Sequence, residues 1–287
     1  MKLAFLGPHG TNSEEACRCI EKIIEGFQEN IELQAYATID EAIWAVEKRE
    51  VDYCLVPVEN SIEGSVRITL DTLAHDVDLI VKAELVWSVH NQLMAKNVKA
   101  PIHTIISHAQ PLAQCRNYIK KHYPKAKMEA VSSTARAAEK ASHYGEGYAA
   151  IATKIASKLY DLKLIDTDIQ DVEDNFTRFI LLSKNKNTIS EKYTAKVQKD
   201  SMMIICQIDG RAGSLYELLG DFAKRKINMT RIESRPARTS LGEYIFFIEI
   251  DADVDEKILQ EALSVAEKKC LWLKNLGVFP VFKGSLN

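Results

Sequence analysis

Hydrophobic and polar residues follow two different periods along the first 184 residues of the chain. Short apolar runs follow turn residues, and each precedes a stretch in which apolar residues recur with a helical period. Strands are predicted at residues 2–6, 31–36, 51–56, 104–106, 128–131 and 148–152. Helices are predicted from residue 11 to about 27 and at residues 42–48, 68–74, 111–123, 135–144 and 153–160. This alternation favours a parallel, three-layer α/β architecture.

Residues 79–95 have no helical period and are rich in β-branched and aromatic residues. An extended segment of this length predicts a crossing from one α/β lobe to another. Two helix starts have the Thr-x-x-Glu pattern of a capping box, from Thr11 to Glu14 and from Thr38 to Glu41. The first follows the turn Gly7-Pro8-His9-Gly10, where free backbone N–H groups and the helix dipole also suit an anion.

The C-terminal third has a different pattern, separated from the first part by a stretch rich in Lys, Asn, Ser and Thr near residues 184–199. That stretch is interpreted as a linker. Beyond it, strand, helix, strand, strand, helix and strand are predicted at residues 202–208, 215–225, 228–233, 244–250, 255–269 and 276–282. This order predicts a ferredoxin-like βαββαβ domain. Gly210 and Gly213 follow its first strand and offer backbone N–H groups to a small anionic ligand.

Composition excludes several classes of function. A length of 287 residues predicts roughly two domains, and 46% hydrophobic with 27% charged residues is ordinary for a globular protein. The net charge of -3 predicts neither a nucleic-acid partner nor a polybasic membrane anchor. The N-terminal apolar run is too short for a signal peptide or a membrane span.

The six cysteines include no C-x-x-C pair, so neither a zinc site nor a disulfide framework is predicted. A reduced, cytoplasmic protein is expected. The chain also has no Walker A motif, no G-x-G-x-x-G after a strand and no H-E-x-x-H. The sequence therefore gives no signal of nucleotide or metal chemistry.

Polar residues follow the predicted strands at their carboxyl ends. Glu59, Asn60 and Ser61 come after the strand at 51–56, where open sheets bind ligands. The same residues also suit an Asx-turn before the next helix, and both interpretations stay open. Further along, the candidates for polar contacts are Ser107, Gln110, Gln114, Ser133 and Thr134.

The stretch 174–179 enters an apolar strand through residues that are poor choices for a buried strand. Asn175, Thr177 and Arg178 follow an acidic segment that begins at Asp166. A solvated strand entrance and a ligand site both explain the pattern. Because side chains alternate along a strand, Arg178 points away from Thr177 and contacts either a substrate or the acidic segment.

Over residues 1–282 these motifs resemble those of the prephenate dehydratases. The matching stretches, in the family's order, are Gly7-Pro8-His9-Gly10-Thr11, Val56-Pro57-Val58-Glu59-Asn60-Ser61, Ser107-His108-x-Gln110 with Gln114, Ser133-Thr134-Ala135, and Thr177-Arg178-Phe179. The C-terminal part resembles an ACT regulatory domain, with Gly213-Ser214-Leu215 and Glu233-Ser234-Arg235-Pro236. The chain departs from the family at Asn12, usually aromatic, and at Ala212 and Ser214 in the regulatory loop.

The resemblance implies a two-lobed, periplasmic-binding-protein-like α/β catalytic domain followed by a ferredoxin-like ACT domain. The expected boundaries are 1–184 for the catalytic domain, 185–199 for the linker and 200–282 for the ACT domain. Within the catalytic domain, one lobe is expected at 1–76 with 164–184 and the other at 77–163.

The implied reaction converts prephenate to phenylpyruvate in phenylalanine biosynthesis, without a cofactor and with L-phenylalanine as feedback inhibitor. The implied catalytic residues are Thr177, Ser107, Gln114, Glu59 and Asn60. The implied substrate contacts are Thr11, Ser61, Gln110, Ser133, Thr134, Arg178 and Phe179. The implied phenylalanine site comprises Gly213, Ser214, Leu215, Glu233 and Ser234. A homodimer or homotetramer is expected, because ACT domains commonly pair edge strands.

Thr177 is expected to donate a hydrogen bond to the departing hydroxyl, because a threonine hydroxyl is a poor acid near neutral pH. Glu59 is given an orienting role, since a carboxylate is a poor neighbour for a dianion. The alternatives are an arogenate dehydratase, a small-molecule receptor and a non-catalytic amino-acid sensor.

Overall fold

The computed structural model describes residues 1–24, 31–172, 174–185 and 193–285. The first part of the chain contains β1 (Lys2–Leu6), α1 (Asn12–Ile23), β2 (Glu32–Tyr36), α2 (Ile39–Glu47), β3 (Tyr53–Asn60), β4 (Gly64–Ser65), α3 (Arg67–His75), β5 (Ile80–Ser88), β6 (Gln92–Ala95), β7 (Thr104–His108), α4 (Ala109–Gln114), α5 (Arg116–His122), β8 (Lys127–Val131), α6 (Thr134–Tyr144), β9 (Tyr148–Ala152), α7 (Lys154–Leu159), β10 (Lys163–Asp166) and β11 (Phe176–Ser183). The C-terminal part contains β12 (Lys199–Ile208), α8 (Ser214–Lys224), β13 (Met229–Pro236), β14 (Tyr244–Asp251), α9 (Glu256–Lys269) and β15 (Cys270–Gly284).

The first lobe is built on a sheet with the strand order β2, β1, β3, β11 and β5. β1 runs parallel to β2 and β3, whereas β11 runs antiparallel to β3 and β5. The expected parallel architecture is therefore wrong at β11, and in the second lobe it is wrong at β6, which runs antiparallel to β10 and β9. The chain leaves the lobe at the end of β5 and returns beside that end, so β11 re-enters the sheet in the opposite direction.

The second lobe has a five-stranded sheet with the order β10, β6, β9, β7 and β8. The predicted crossing is confirmed, since β5 belongs to the first lobe and β6 to the second, with residues 89–91 between them. The expected lobe boundaries are wrong at two places: β5 lies in the first sheet although 77–163 is the expected second lobe, and β10 lies in the second sheet although 164–184 is expected in the first lobe. The single helix expected at 111–123 is wrong, because α4 and α5 are separated at Cys115, whose φ of -112° and ψ of 17° leave the helical region.

The C-terminal part has the predicted βαββαβ order, with α8 and α9 packed on the sheet β13, β14, β12 and β15. β15 begins at Cys270, six residues before the predicted start, and runs on to Gly284. Its second half pairs in parallel with β5, which joins the two domains into one ten-stranded sheet.

The two domains also share a hydrophobic core. One buried cluster contains Val56, Leu70 and Ile180 of the first lobe together with Phe247 and Phe279 of the C-terminal part. A second cluster lies on the other face of the first sheet, under α1. The C-terminal domain is therefore packed against the first lobe by apolar contacts as well as by strand pairing.

Two local predictions have opposite outcomes. The capping box at Thr38 and Glu41 is present. The one expected at Thr11 and Glu14 is absent, because the Thr11 hydroxyl donates to the carbonyl of Leu6 at 3.3 Å. Glu14 accepts from the backbone of Gly10 instead. The predicted end of the first helix near residue 27 lies outside the described residues, as does most of the predicted linker. In the described ranges we find no helix of a length and hydropathy suited to crossing a membrane.

Candidate active site

The candidate site lies at the edge of the first sheet that faces the second lobe. Thr177, near the start of β11, is paired with Asn60 at the end of β3 and with Trp87 near the end of β5. Residues paired across neighbouring strands point to the same face, and here it is the face that α1 covers. The antiparallel return of β11 therefore brings together side chains that are far apart in the sequence.

Asn60 both forms a turn and contacts Thr177. Its Oδ1 accepts hydrogen bonds from the backbone N–H groups of Ile62 at 3.0 Å and Glu63 at 3.1 Å, which is the expected Asx-turn. Because these donors fix the orientation of the amide, Nδ2 is the end that faces β11. Nδ2 lies 2.9 Å from Oγ1 of Thr177 and donates to it. The Thr177 oxygen is thus an acceptor toward Asn60, and its own proton is free to point into the cleft.

Asn175 extends this arrangement across the two lobes. It is 1% exposed, and its Oδ1 accepts from Nδ2 of Asn60 at 3.0 Å. Its own Nδ2 donates to Oε1 of Gln114 in the second lobe at 3.1 Å. The amide of Gln114 is therefore also oriented, and its Nε2 is buried with no hydrogen-bond partner among the described residues. We call Asn60, Thr177, Asn175 and Gln114 the amide chain. It presents two uncharged donors, the O–H of Thr177 and Nε2 of Gln114.

Contacts between α1 and the second lobe close the other side of the cleft. The Thr153 hydroxyl donates to the carbonyl of Gly10 at 2.7 Å, and Oε1 of Glu15 accepts from the backbone of Ile155 at 3.0 Å. Glu15 is 3% exposed, and burial raises its pKa to about 7, against the opposing hydrogen bonds from the backbone of Ile155 and Lys154. The expected anion contact at Gly10 is already taken, because its N–H donates to Glu14 at 2.8 Å.

Several predicted site residues are held in structural roles. Ser107 is fully buried and donates to the carbonyl of Ile151 at 2.7 Å, between two strands of the second sheet. Phe179 is 2% exposed in the core under α1, so the expected substrate contact does not agree with its position. Ser133 accepts from the backbone of Arg136 at 3.0 Å as the N-cap of α6.

The remaining predicted substrate contacts are distributed around the cleft. Ser61 accepts from the backbone of Phe176 at 3.0 Å and so fixes the start of β11. Gln110 is half-buried on α4, Thr134 is buried at the start of α6, and Thr11 precedes α1. Among the predicted polar residues, Asn60 and Gln114 belong to the amide chain together with Thr177.

Arg178 and Glu59 lie on the opposite face of the same strand pair. Arg178 binds Glu59 through Nη1 at 2.7 Å, Glu84 through Nε and Nη2 at 2.8 and 2.7 Å, and Glu249 through Nη2 at 2.6 Å. Arg178 is therefore structural, but the expected partner was wrong: the acidic segment contacts the second lobe instead. For example, Asp171 accepts from the backbone of Asn117 and Tyr118 at the start of α5. The expected orienting role of Glu59 toward substrate also fails, because its carboxylate faces away from Thr177.

The residues predicted for the regulatory site are divided between two faces of β13. Ser234 points outward and is exposed, whereas Oε2 of Glu233 is held by Ser65 at 2.5 Å and by Arg231 at 2.6 Å, facing the catalytic domain. Gly213 has a φ of +91°, which favours glycine, and it precedes a buried Ser214 and a half-buried Leu215 at the start of α8.

Sequence reasoning missed three residues that the structure places close to Thr177 or to its strand. Asn175 was visible in the sequence as a polar residue before a strand, but nothing there indicated its bond to Asn60. Glu249 and Arg231 belong to the other domain, and a charged residue within an apolar strand, as Glu249 is between Ile248 and Ile250, was the available signal.

Comparison with known proteins agrees with the family resemblance seen in the sequence. The family model of prephenate dehydratase matches residues 3–187, and that of the ACT domain matches residues 202–267. A prephenate dehydratase of Bacillus subtilis is 34% identical over 99% of this chain and 100% of its own length. The solved structure of a prephenate dehydratase from Arthrobacter aurescens in complex with L-Phe has a TM-score of 0.82 at 29% identity, covering 97% of this chain and 90% of that one. A quorum quenching acylase also has a TM-score of 0.82, at 23% identity over 98% of both chains, which shows a shared fold alone.

Proposed function

The chain belongs to the prephenate dehydratase family, and we propose that its amide chain carries out that reaction, the conversion of prephenate to phenylpyruvate. In this reaction the bond to the ring carboxylate breaks and releases carbon dioxide. The electron pair of that bond enters the ring, and the ring hydroxyl takes up one proton from the solvent and leaves as water. Because the product ring is aromatic, the residues need to position the substrate and assist the departing oxygen.

The observation that carries the proposal is the hydrogen bond from Asn60 to Thr177. Since Asn60 occupies a lone pair of the Thr177 oxygen at 2.9 Å, the Thr177 O–H is directed away from Asn60 and can donate to the departing hydroxyl. Gln114 supplies a second donor through Nε2, oriented by Asn175. Both donors are neutral, so neither changes protonation state near neutral pH.

The substrate carries two carboxylates, and the cleft suits them in two ways. The charged side chains next to the site, Arg178 and Glu59, lie on the far face of the sheet, so no carboxylate of β3 or β11 repels the substrate. The first turn of α6, which begins after Ser133, provides a helix N-terminus toward which a carboxylate is attracted. We assign Thr11, Ser61, Gln110 and Thr134 to substrate positioning.

The C-terminal domain is proposed to regulate this site in response to L-phenylalanine, as the L-Phe complex of the Arthrobacter aurescens relative supports. The effector is placed between the loop at Gly213–Leu215 and the outward face of β13 at Ser234. Glu233 is left out of this assignment, because its carboxylate is already bound toward the catalytic domain. Residues 1–184 are assigned to catalysis, 185–199 to a linker and 200–282 to regulation.

A homodimer or a dimer of such dimers is proposed, paired through the regulatory domains. β13 is an edge strand of the ten-stranded sheet. Exposed apolar residues lie on or near it: Ile232 is 46% exposed, Tyr244 48% and Tyr216 80%. Unpaired edges and apolar surface of this kind favour association. Light scattering that gave a monomer at working concentration would contradict this part. We also assign the enzyme to the cytoplasm, where its six free thiols stay reduced.

The proposed function is tested by adding prephenate to the purified protein and following phenylpyruvate formation. Turnover is expected with prephenate, a decrease is expected on addition of phenylalanine, and arogenate serves as the comparison substrate. Absence of turnover with prephenate would contradict the proposed reaction. Turnover that saturating phenylalanine does not change would remove the regulatory part and leave the reaction standing.

A further inference from the structure

A cluster of partly buried ion pairs connects the regulatory domain to the strand that carries Thr177. We call it the Arg178 cluster. Its carboxylates and guanidinium groups are Glu59, Glu84 and Arg178 of the first lobe and Arg231, Glu233 and Glu249 of the C-terminal domain. Ser65 of β4 joins it by donating to Glu233 and accepting from Arg231 at 2.8 Å.

Glu249 joins the two halves of the cluster, beside the longer Arg231–Glu59 pair at 3.8 Å. Its Oε2 lies 2.6 Å from Nη2 of Arg178, and its Oε1 lies 3.0 Å from Nη1 of Arg231. Its side chain is only 3% exposed, so this one carboxylate holds a guanidinium of each domain in a poorly hydrated setting. A buried carboxylate in such a position is strongly coupled to both partners.

The cluster has more acid than base, which makes Arg178 hard to displace. Four carboxylates face two guanidinium groups. Burial by itself lowers the pKa of Arg178, but the hydrogen bonds and charges of Glu84 and Glu249 outweigh it and raise that pKa. A cavity of about 350 Å³ borders the cluster between the domains, which leaves space for its members to shift.

The cluster acts on the catalytic strand pair at a place where backbone pairing is irregular. Arg178 is paired with Glu59, but the next residue of β11 is paired with Pro57, so Val58 is an extra residue in β3. Proline has no N–H to donate to the ladder. Beside this bulge, side chains also connect β3 and β11: Arg178 binds Glu59 on one face, and Asn60 binds Thr177 on the other.

β13 provides the connection to the effector. Its side chains alternate, so that Arg231, Glu233 and Arg235 face the catalytic domain while Ser234 faces outward. Arg235 binds Asp71 of α3 through Nη2 at 2.7 Å. A ligand that shifts β13 from its outward face must move these inward side chains with it.

We propose that Glu249 and Arg231 of the regulatory domain are positioning residues for Thr177 and Asn60, and that phenylalanine changes turnover through the Arg178 cluster. They act through Arg178 and Glu59 and do not touch the substrate. This proposal rests on the function proposed above, and it adds the side chains by which the regulatory site reaches that reaction.

The test compares Glu249→Gln with Asp251→Asn in the full-length protein. Both variants neutralise a carboxylate on the same face of β14, but Asp251 binds Lys199 and Asn228 within the C-terminal domain and lies outside the Arg178 cluster. For each variant, kcat and KM for prephenate, the phenylalanine concentration for half-inhibition and the melting temperature with and without phenylalanine are measured.

For Glu249→Gln we expect kcat to fall about tenfold, with KM changed less. The factor by which saturating phenylalanine lowers turnover should fall at least about fivefold, which is the lower end of usual allosteric couplings. Phenylalanine should still raise the melting temperature of the variant, since its own site is intact. Asp251→Asn should behave as the unchanged protein does in all four measurements.

Wild-type kcat together with wild-type inhibition in Glu249→Gln would overturn the proposal. If that variant has no cooperative melting transition, Ser65→Ala takes its place, because it removes one uncharged member of the cluster from the short strand β4. The same changes, at smaller size, are expected, and their absence would equally overturn the proposal. These outcomes are distinct from failure of the proposed function, which would appear as an inactive or phenylalanine-insensitive wild-type protein.

Discussion

The two faces of the β3–β11 strand pair have opposite chemistry, although their residues are neighbours in the sequence. On the face toward α1, Asn60 and Thr177 belong to a chain of neutral amides and a hydroxyl that ends at the cleft. On the other face, Glu59 and Arg178 belong to a cluster of charges between the domains. A one-residue step along each strand separates the proposed hydrogen-bond donors from the residues that attach the C-terminal domain.

Under the proposed function, the charge of the substrate explains this difference. A cleft that receives a dianion is best lined by donors that carry no negative charge and do not titrate, whereas ion pairs can stabilise a domain boundary where partners fully surround them. The predictions below test whether the neutral face controls chemistry and the charged face controls assembly.

The largest effect is expected from Thr177→Ala. Loss of the donor to the departing oxygen should lower kcat by ~10²–10⁴-fold, the usual range for one transition-state donor. Thr177→Ser, which keeps the hydroxyl, should retain kcat within about tenfold. Steady-state kinetics with prephenate measure both variants. Near wild-type turnover in Thr177→Ala would show that the neutral face does not provide the donor.

Arg178→Met should mainly lower the free energy of unfolding. Removing this guanidinium leaves Glu84 and Glu249 buried without it, and breaking a buried pair in this way costs about 3–5 kcal/mol of the free energy of unfolding. Arg136→Met removes an exposed pair with Glu139 and should cost at most about 1 kcal/mol. Denaturant unfolding compares the two. Equal losses would mean that the charged face contributes no more than a surface ion pair.

Asn60→Asp replaces the hydrogen-bond donor at residue 60 with an acceptor without changing the shape of the side chain. A carboxylate accepts but does not donate, so the Thr177 proton would turn toward it and away from the substrate. We expect kcat to fall by roughly 10²–10³-fold near neutral pH, the effect of losing an oriented donor. The deficit should shrink as the pH falls, because protonation restores one donor to residue 60. A pH-independent deficit would contradict this explanation.

Glu15 is a buried carboxyl of α1 with a raised pKa, and it should make stability depend on pH. Its folded-state pKa, raised to about 7 by burial, lies above the value of 4.5 for an unburied glutamate, so the folded state retains a proton that the unfolded state releases. Stability is therefore lost as the pH rises through this window. Relative to Glu15→Gln, the wild type should lose about 2–3 kcal/mol between about pH 5 and pH 8.

Unfolding by denaturant at both pH values measures this difference. Glu139→Gln, which changes an exposed glutamate, should show the pH dependence of the wild type. If the free energy of unfolding changes equally with pH in Glu15→Gln and in the wild type, the surroundings of Glu15 do not oppose its ionisation.

Local sequence patterns predicted most of the helices and strands but not how they pair and pack together. The strand at 148–152 agrees with β9, and the C-terminal order agrees with βαββαβ, because periodicity and turn residues are local signals. The pairing of Thr177 with Asn60 depends on the antiparallel return of β11, which no local pattern contains. The partners of Arg178 were predicted wrongly for the same reason: two of them are at sequence separations of 94 and 71 residues.

The parallel pairing of β15 with β5 has a consequence for shortened forms of this enzyme. A chain that ended before β12 would leave β5 as an open edge and would uncover apolar side chains such as Val56 and Ile180, which the C-terminal domain now packs against. Exposed strand edges beside apolar surface promote aggregation. Removal of the regulatory domain should therefore yield insoluble protein, and the way to a feedback-resistant enzyme is substitution within the intact chain.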